Sequence, residues 1–103
     1  MEHVDTFKAL ANESRLSILK WLGDPGHYFP PGPDGQKLHS KALGVCVGAI
    51  QKKTGLSQST VSHYLTILQK AGLVVANRHG QWTYYQRNEK ALKSLSRFLK
   101  EEL

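Results

Sequence analysis

GLSQSTVSHYLTILQKAGLV, residues 55–74, divides cleanly between two faces of a helix. Ser57 is a residue type whose side-chain oxygen accepts from the free N–H groups that open a helix. It predicts a helix from about Gln58 to Ala71, with Gly72 closing it. Val61, Tyr64, Leu65 and Leu68 fall on one side. At about 100° per residue, Ser59, His63, Thr66 and Lys70 fall on the other, with Thr60 and Ser62 flanking them. That second face is polar, short-chained and free of acids.

Upstream, Val47, Ile50 and, past a turn, Leu56 suit a short helix closed by Gly55. Downstream, LVVANRHGQWTYYQRN (73–88) has strand-forming Val, Trp, Thr and Tyr on both sides of Arg78-His79-Gly80-Gln81. Gly80 supplies the positive φ that a tight hairpin turn needs. Two helices meeting at a glycine turn, followed by a hairpin with a basic tip, make a winged helix-turn-helix. The expected class is mainly α with a β-hairpin wing.

Charge placement agrees with that reading. The 103 residues carry a formal net charge of +6. Between Asp34 and Glu89 there is no acid, while Lys37, Lys41, Lys52, Lys53, Lys70, Arg78 and Arg87 all lie there. An acid-free middle suits an anionic partner, either nucleic acid or an acidic membrane surface. The alternative is a solvated basic surface with no partner. For duplex DNA the mechanics fit. A helix enters the major groove, and hydroxyl, amide and imidazole groups reach base edges. Gln58, Ser59, Ser62 and His63 are expected to set sequence preference. The wing residues Arg78 and His79 are expected along the neighbouring backbone or minor groove, and Thr60, Thr66, Lys70 and Gln81 are further expected DNA contacts.

The flanks are helical as well. Val4, Phe7, Leu10 and Ala11 recur at helical spacing. Asn12, followed by Glu13, caps a second helix carrying Leu16, Ile18, Leu19 and Leu22. Asn88 caps the last helix, where Leu92, Leu95, Phe98 and Leu99 form an apolar face and Lys93, Arg97 and Lys100 stay wet. Residues 23 to about 42 hold all four prolines and four of nine glycines, and read as an irregular loop. Its Tyr28-Phe29 pair is available to dock on the body or on a second subunit. The whole chain, 1–103, is expected to be one domain. No apolar run approaches the roughly 18 residues of a membrane span, and the first residues lack a secretion-signal pattern. With a single cysteine, the expected location is the cytoplasm.

These segments carry a family resemblance. FKALANESRLSILKWL (7–22), GLSQSTVSHYLTILQKAGLV (55–74) and NRHGQWTYYQRN (77–88) resemble the first two helices, the recognition helix with its turn, and the wing of the ArsR (SmtB/ArsR) family of bacterial winged-helix repressors. The resemblance implies a homodimer paired through the first and last helices, bound to inverted-repeat operator DNA and released by ligand or redox input. Recognition helices of such a pair are expected about 34–36 Å apart, one duplex turn. The residues support a dimer independently, because the terminal helices carry more apolar surface than so small a domain covers. Val4, Phe7, Leu10, Leu92, Leu95, Phe98 and Leu99 are the expected interface.

Metal-sensing members of that family carry Cys-x-Cys at the start of the third helix. Here Cys46 stands at the first position and Gly48 at the second. Another family site uses Asp and His on the last helix, and residues 89–103 contain neither. No metal site and no cofactor are expected, and added Zn²⁺ is not expected to release DNA. His27 and His39 flank the loop and read as solvated side chains, unless the fold brings them to Cys46. Cys46, between two valines, reads as a small buried apolar residue; the functional alternative is a redox switch through a disulfide to a second subunit. The effector itself is not encoded in any motif. Two other function classes remain for comparison. An enzyme built on Cys46 and His39 lacks any acid nearby to orient the base. A winged-helix module for RNA or a protein partner would use Trp82, Tyr84 and Tyr85 for stacking, although wing aromatics commonly pack on the body.

Overall fold

The computed structural model describes residues 3–103. Six helices and four strands follow in the order α1 (Val4–Leu10), α2 (Glu13–Leu22), α3 (Pro25–Tyr28), β1 (His39–Ser40), β2 (Gly44–Cys46), α4 (Val47–Thr54), α5 (Gln58–Lys70), β3 (Val74–His79), β4 (Trp82–Arg87) and α6 (Glu89–Glu101). Three helices begin on the caps expected of them. The side chains of Asn12, Ser57 and Asn88 accept from the backbone N–H of Arg15, Thr60 and Ala91 respectively. Each satisfies a donor that the helix itself cannot pair.

The core is continuous. Ile18, Leu19 and Leu22 of α2, Ile50 of α4, and Val61, Leu65 and Leu68 of α5 pack with Ala9, Phe29, Val45, Leu73 and Val74. Each of the Val, Leu, Ile and Phe side chains, withdrawn from water, contributes on the order of 1.5–3 kcal/mol. Arg15 braces this arrangement. Its Nε donates to the Ala9 carbonyl at 2.6 Å and its Nη2 to the Lys8 carbonyl at 3.2 Å, closing the end of α1. Its guanidinium also lies 5.2 Å from the Tyr64 ring centroid on α5. Arg15→Ala removes two charge-assisted bonds and one ring contact. It should lower unfolding free energy by about 1.5–3 kcal/mol in denaturant titrations, whereas Arg15→Lys, lacking the planar fork, should recover only part of the loss.

The wing is larger than a hairpin. β3 and β4 pair antiparallel from Val74↔Arg87 to His79↔Trp82, so Gly80-Gln81 is a two-residue turn, with Gly80 at φ +63°. β2 then adds to β4 through Val45↔Tyr85 and Cys46↔Tyr84, and β1 adds to β2, giving the order β1-β2-β4-β3. The segment expected to be irregular over 23–42 therefore contains a helical turn and a strand. Pro25 begins α3 because a first-turn proline needs no N–H partner. Phe29 docks inward, edge-on to Trp21 at 6.4 Å, so this aromatic belongs to the protomer's own core. A polar clamp ties the β1–β2 connection to the wing. Asn77 Nδ2 donates to the Leu43 carbonyl at 2.8 Å and to Gln86 Oε1 at 3.0 Å. Gln86 Nε2 donates to the carbonyls of Lys41 and Ala42, each at 3.1 Å. Burial of the Tyr85 phenol at this junction pushes its pKa above the ordinary tyrosine value.

Candidate nucleic-acid interface

The outer face of α5 is built by its own packing. Val61, Leu65 and Leu68 are buried against the core, and the 100° advance per residue turns the intervening positions outward. Gln58, Ser59, Ser62, His63, Thr66 and Lys70 are all exposed. Gln69 is exposed beside Lys70 and joins this surface, although its amide did not stand out in the sequence. Three of the expected contacts are partly committed locally, the first being Ser59, whose Oγ lies 3.3 Å from Ser57 Oγ. Thr60 is half-buried, and its hydroxyl accepts from Ser57 Oγ at 2.8 Å. Thr66 Oγ1 donates to the Ser62 carbonyl at 2.9 Å. The uncommitted donors and acceptors are those of Gln58, Ser62, His63, Gln69 and Lys70. No acid lies in the first turn of α5, so the positive end of its dipole is open to an anion.

The wing tip adds its charge in two directions. Side chains alternate across a strand, so Arg78 and His79 stand on opposite faces of the hairpin. Arg78 Nε donates to the Gly80 carbonyl at 3.3 Å, folding the guanidinium over the turn. His79 pairs in register with Trp82, which is 53% exposed. Trp82 was expected to pack on the body; the register places it at the tip instead, beyond the reach of the core. Tyr85, on the opposite face, packs against the core. Three wing aromatics in one stacking platform are therefore not formed.

At the wing's other end, Arg87 and Glu89 form a two-pronged ion pair, Nε–Oε2 at 2.7 Å and Nη2–Oε1 at 2.8 Å. The hydrogen bond from Arg87 holds the Glu89 carboxyl below its usual range, and the same bond raises Arg87. This pair fixes the joint where β4 enters α6.

The terminal helices meet on a separate side. Phe98 of α6 lies 4.5 Å from His3 and 6.2 Å from Phe7, ring centre to ring centre. Around these rings Val4 and Phe7 are each 37% exposed and Leu99 is 45% exposed. Leu10, Leu92 and Phe98 are half-buried. Leu95, expected at the interface, is only 7% exposed and is covered by its own chain. Its position on the inner side of α6 makes it the anchor of that helix.

Cys46 is half-buried at the start of α4, less enclosed than expected, while its neighbour Val45 is fully buried. It is the sole cysteine, so a disulfide requires a second molecule. His39 pairs with Val45 on the adjoining strand, and His27 packs on Tyr28 at 4.7 Å. Among the described residues no three His, Cys, Asp or Glu side chains gather as a metal-ligand group. One thiol facing Gly48 does not fit the paired-thiolate centre of the metal-sensing proteins. Among the described residues no helix is long and apolar enough to cross a membrane.

Residues 45–75 match the family described as bacterial regulatory protein, arsR family. The chain is 48% identical over 103 residues to the HTH-type transcriptional regulator YbzH of Bacillus subtilis, covering 100% of both chains. It is 31% identical over 97 residues to the arsenical resistance operon repressor of the same organism, covering 94% of this chain and 73% of that one. Among solved structures, the homodimeric winged helix-turn-helix DNA-binding domain of Mb0332 from Mycobacterium bovis superposes with a TM-score of 0.65 at 30% identity, covering 98% of this chain and 80% of that one. With the exposed polar face of α5 and the basic wing tip in place, the chain is a member of the ArsR family of winged helix-turn-helix transcriptional regulators.

Proposed function

We propose that the protein is a cytoplasmic, homodimeric repressor that binds an inverted-repeat operator in duplex DNA and leaves it in response to a signal. The observation that carries this reading is the exposed, acid-free outer face of α5 beside the basic wing tip. In the major groove, Gln58, Ser59, Ser62 and His63 read base edges, and Gln69 and Lys70 lie toward the backbone. The wing enters the adjacent minor groove tip-first, so that Arg78 and His79 meet opposite walls and Gln81 the floor. Pairing of the α1/α6 faces about a two-fold axis sets the two recognition helices about 34–36 Å apart. The B. subtilis arsenical repressor and the homodimeric Mycobacterium domain support the regulatory and dimeric parts of this reading.

Selection from a random duplex library with the purified protein supplies the operator, and gel-shift titrations then separate the roles. His63→Ala should cost about 1–3 kcal/mol on the selected duplex and little on a scrambled one, relaxing preference at one base position. Arg78→Ala should weaken both duplexes alike and lower the salt slope by about one unit. Equal losses on both duplexes for His63→Ala would contradict its assignment to a base.

A further inference from the structure

Between the proline-rich segment and α4 lies a cavity of about 460 Å³, within the usual range for small-molecule sites of about 300–1,000 Å³. Its walls are Tyr28, Pro31, Pro33 and Leu38 on one side and Ala49 on the other, with Lys52 and Lys53 at the rim. The proline wall is built, not loose. The Gly32 N–H donates to the Gln36 carbonyl at 2.8 Å and the Gly35 N–H to the Gly32 carbonyl at 2.9 Å, closing a tight turn. The Cys46 N–H donates to the Leu38 carbonyl at 3.2 Å, joining this wall to the start of α4.

The rim charge is held in place and lacks a counter-ion. Lys53 Nζ lies 5.1 Å from the Trp21 ring centre, 5.6 Å from Tyr28 and 5.9 Å from Phe29. Three rings fix that ammonium and leave its outward N–H groups free to donate. Among the described residues the ion pair is Arg87–Glu89, so neither Lys52 nor Lys53 meets a carboxylate. Asp34, the nearest acid along the loop, faces solvent. A second cleft, of about 490 Å³ beside His39, is lined by that Arg87–Glu89 pair and by Lys41, so one of its two cationic side chains is already paired.

We propose that the cavity under the proline-rich segment is the effector site, and that its ligand is a small organic anion with a flat apolar body and one carboxylate. The body lies between the prolines and α4, and the carboxylate pairs with Lys52 and Lys53. The proposal rests on the DNA-binding reading for its consequence, because the cavity borders α4. Ile50 of α4 is fully buried in the same core as Val61 and Leu65 of α5. Close-packed side chains transmit displacement, so a ligand that moves α4 reorients the recognition helix. Coupling of the usual size weakens operator binding by about 5–150-fold.

Calorimetry with 2-naphthoate and its uncharged counterpart 2-naphthamide tests the site without DNA. The acid should bind once per protomer and at least about tenfold more tightly than the amide. The double variant Lys52→Gln/Lys53→Gln should erase that preference. Gly48→Leu places a side chain in the cavity where a Cβ meets nothing closer than Cys46 Sγ at 3.9 Å, and it favours the helix. It should weaken both ligands at least about tenfold. Saturating naphthoate should also weaken operator binding by the native protein at least about fivefold, and not by Gly48→Leu. Absent binding, equal affinity for acid and amide, or indifference to Gly48→Leu overturns the site. Binding with unchanged operator affinity overturns the effector role. A native protein that binds no duplex sinks the DNA reading instead, and the calorimetry still decides the cavity.

Discussion

Leu99→Glu should yield a folded monomer that has lost its hold on the operator by about 10²–10⁴-fold. The reasoning starts from exposure. Leu99 is 45% exposed on α6 and follows Phe98, whose ring lies 6.2 Å from Phe7 of α1 and 4.5 Å from His3 just before that helix. An exposed substitution of this kind changes protomer stability by about 0.5 kcal/mol or less. In a two-fold pair the same patch meets itself, and each new carboxylate would be buried against apolar side chains at a cost of several kcal/mol. The proposed dimer should come apart while α5 stays folded. A lone protomer reaches one half-site and loses the second, tethered contact, which is the source of the large factor. Sedimentation equilibrium gives the mass, circular dichroism the helix content, and gel shifts the affinity. A Leu99→Glu protein that remains dimeric at micromolar concentration removes α6 from the interface.

How much of this was readable beforehand differs by element, and the differences have physical causes. The α5 face was legible because thirteen residues give three to four turns of unbroken periodicity. The caps at Asn12, Ser57 and Asn88 were legible because capping is a bond across three residues. β1 and β2 were not, since two- and three-residue strands have no period to detect. They exist because distant groups hold them: Asn77 reaches Leu43 across 34 positions, and Gln86 reaches Lys41 across 45. The role of Arg15 has no local signal, because its bonds run back six and seven residues to carbonyls of the first helix. Trp82 went astray for a register reason. Aromatic content suggests burial, but the hairpin register places it directly after the turn, opposite His79 and past the end of the core. Leu95 and Leu99, four apart, share the apolar stripe of α6, yet one is covered within the protomer and the other is open. Periodicity places both on one stripe and does not say where the protomer ends and a partner begins.

Gly44→Ala should cost about 2–5 kcal/mol, a fall in melting temperature of about 10–30 °C for a domain of this size. Gly44 opens β2 at φ +102°, a conformation that side-chain-bearing residues rarely adopt and that costs an alanine about 1–2 kcal/mol. Space is the larger obstacle. A Cβ there would lie 2.2 Å from the Tyr85 carbonyl oxygen and 2.6 Å from the Tyr85 carbonyl carbon, both backbone atoms of β4. A flexible side chain could swing aside; a paired strand cannot. β2 must peel from β4, which breaks the Val45↔Tyr85 pairing and draws the fully buried Val45 out of the core. The wing then loses its third strand, so the same variant should also bind operator less tightly at temperatures where it remains folded. Gly26→Ala is the matched control, since nothing lies within 4 Å of its Cβ and its φ is ordinary. That change should be neutral or stabilising by up to about 1 kcal/mol, through a less free unfolded chain. Melting both variants at one protein concentration keeps dimerisation from biasing the comparison. A Gly44→Ala protein melting within about 3 °C of the native chain means that β2 does not press against β4 in solution, and that the wing is the two-stranded hairpin its turn residues alone predict.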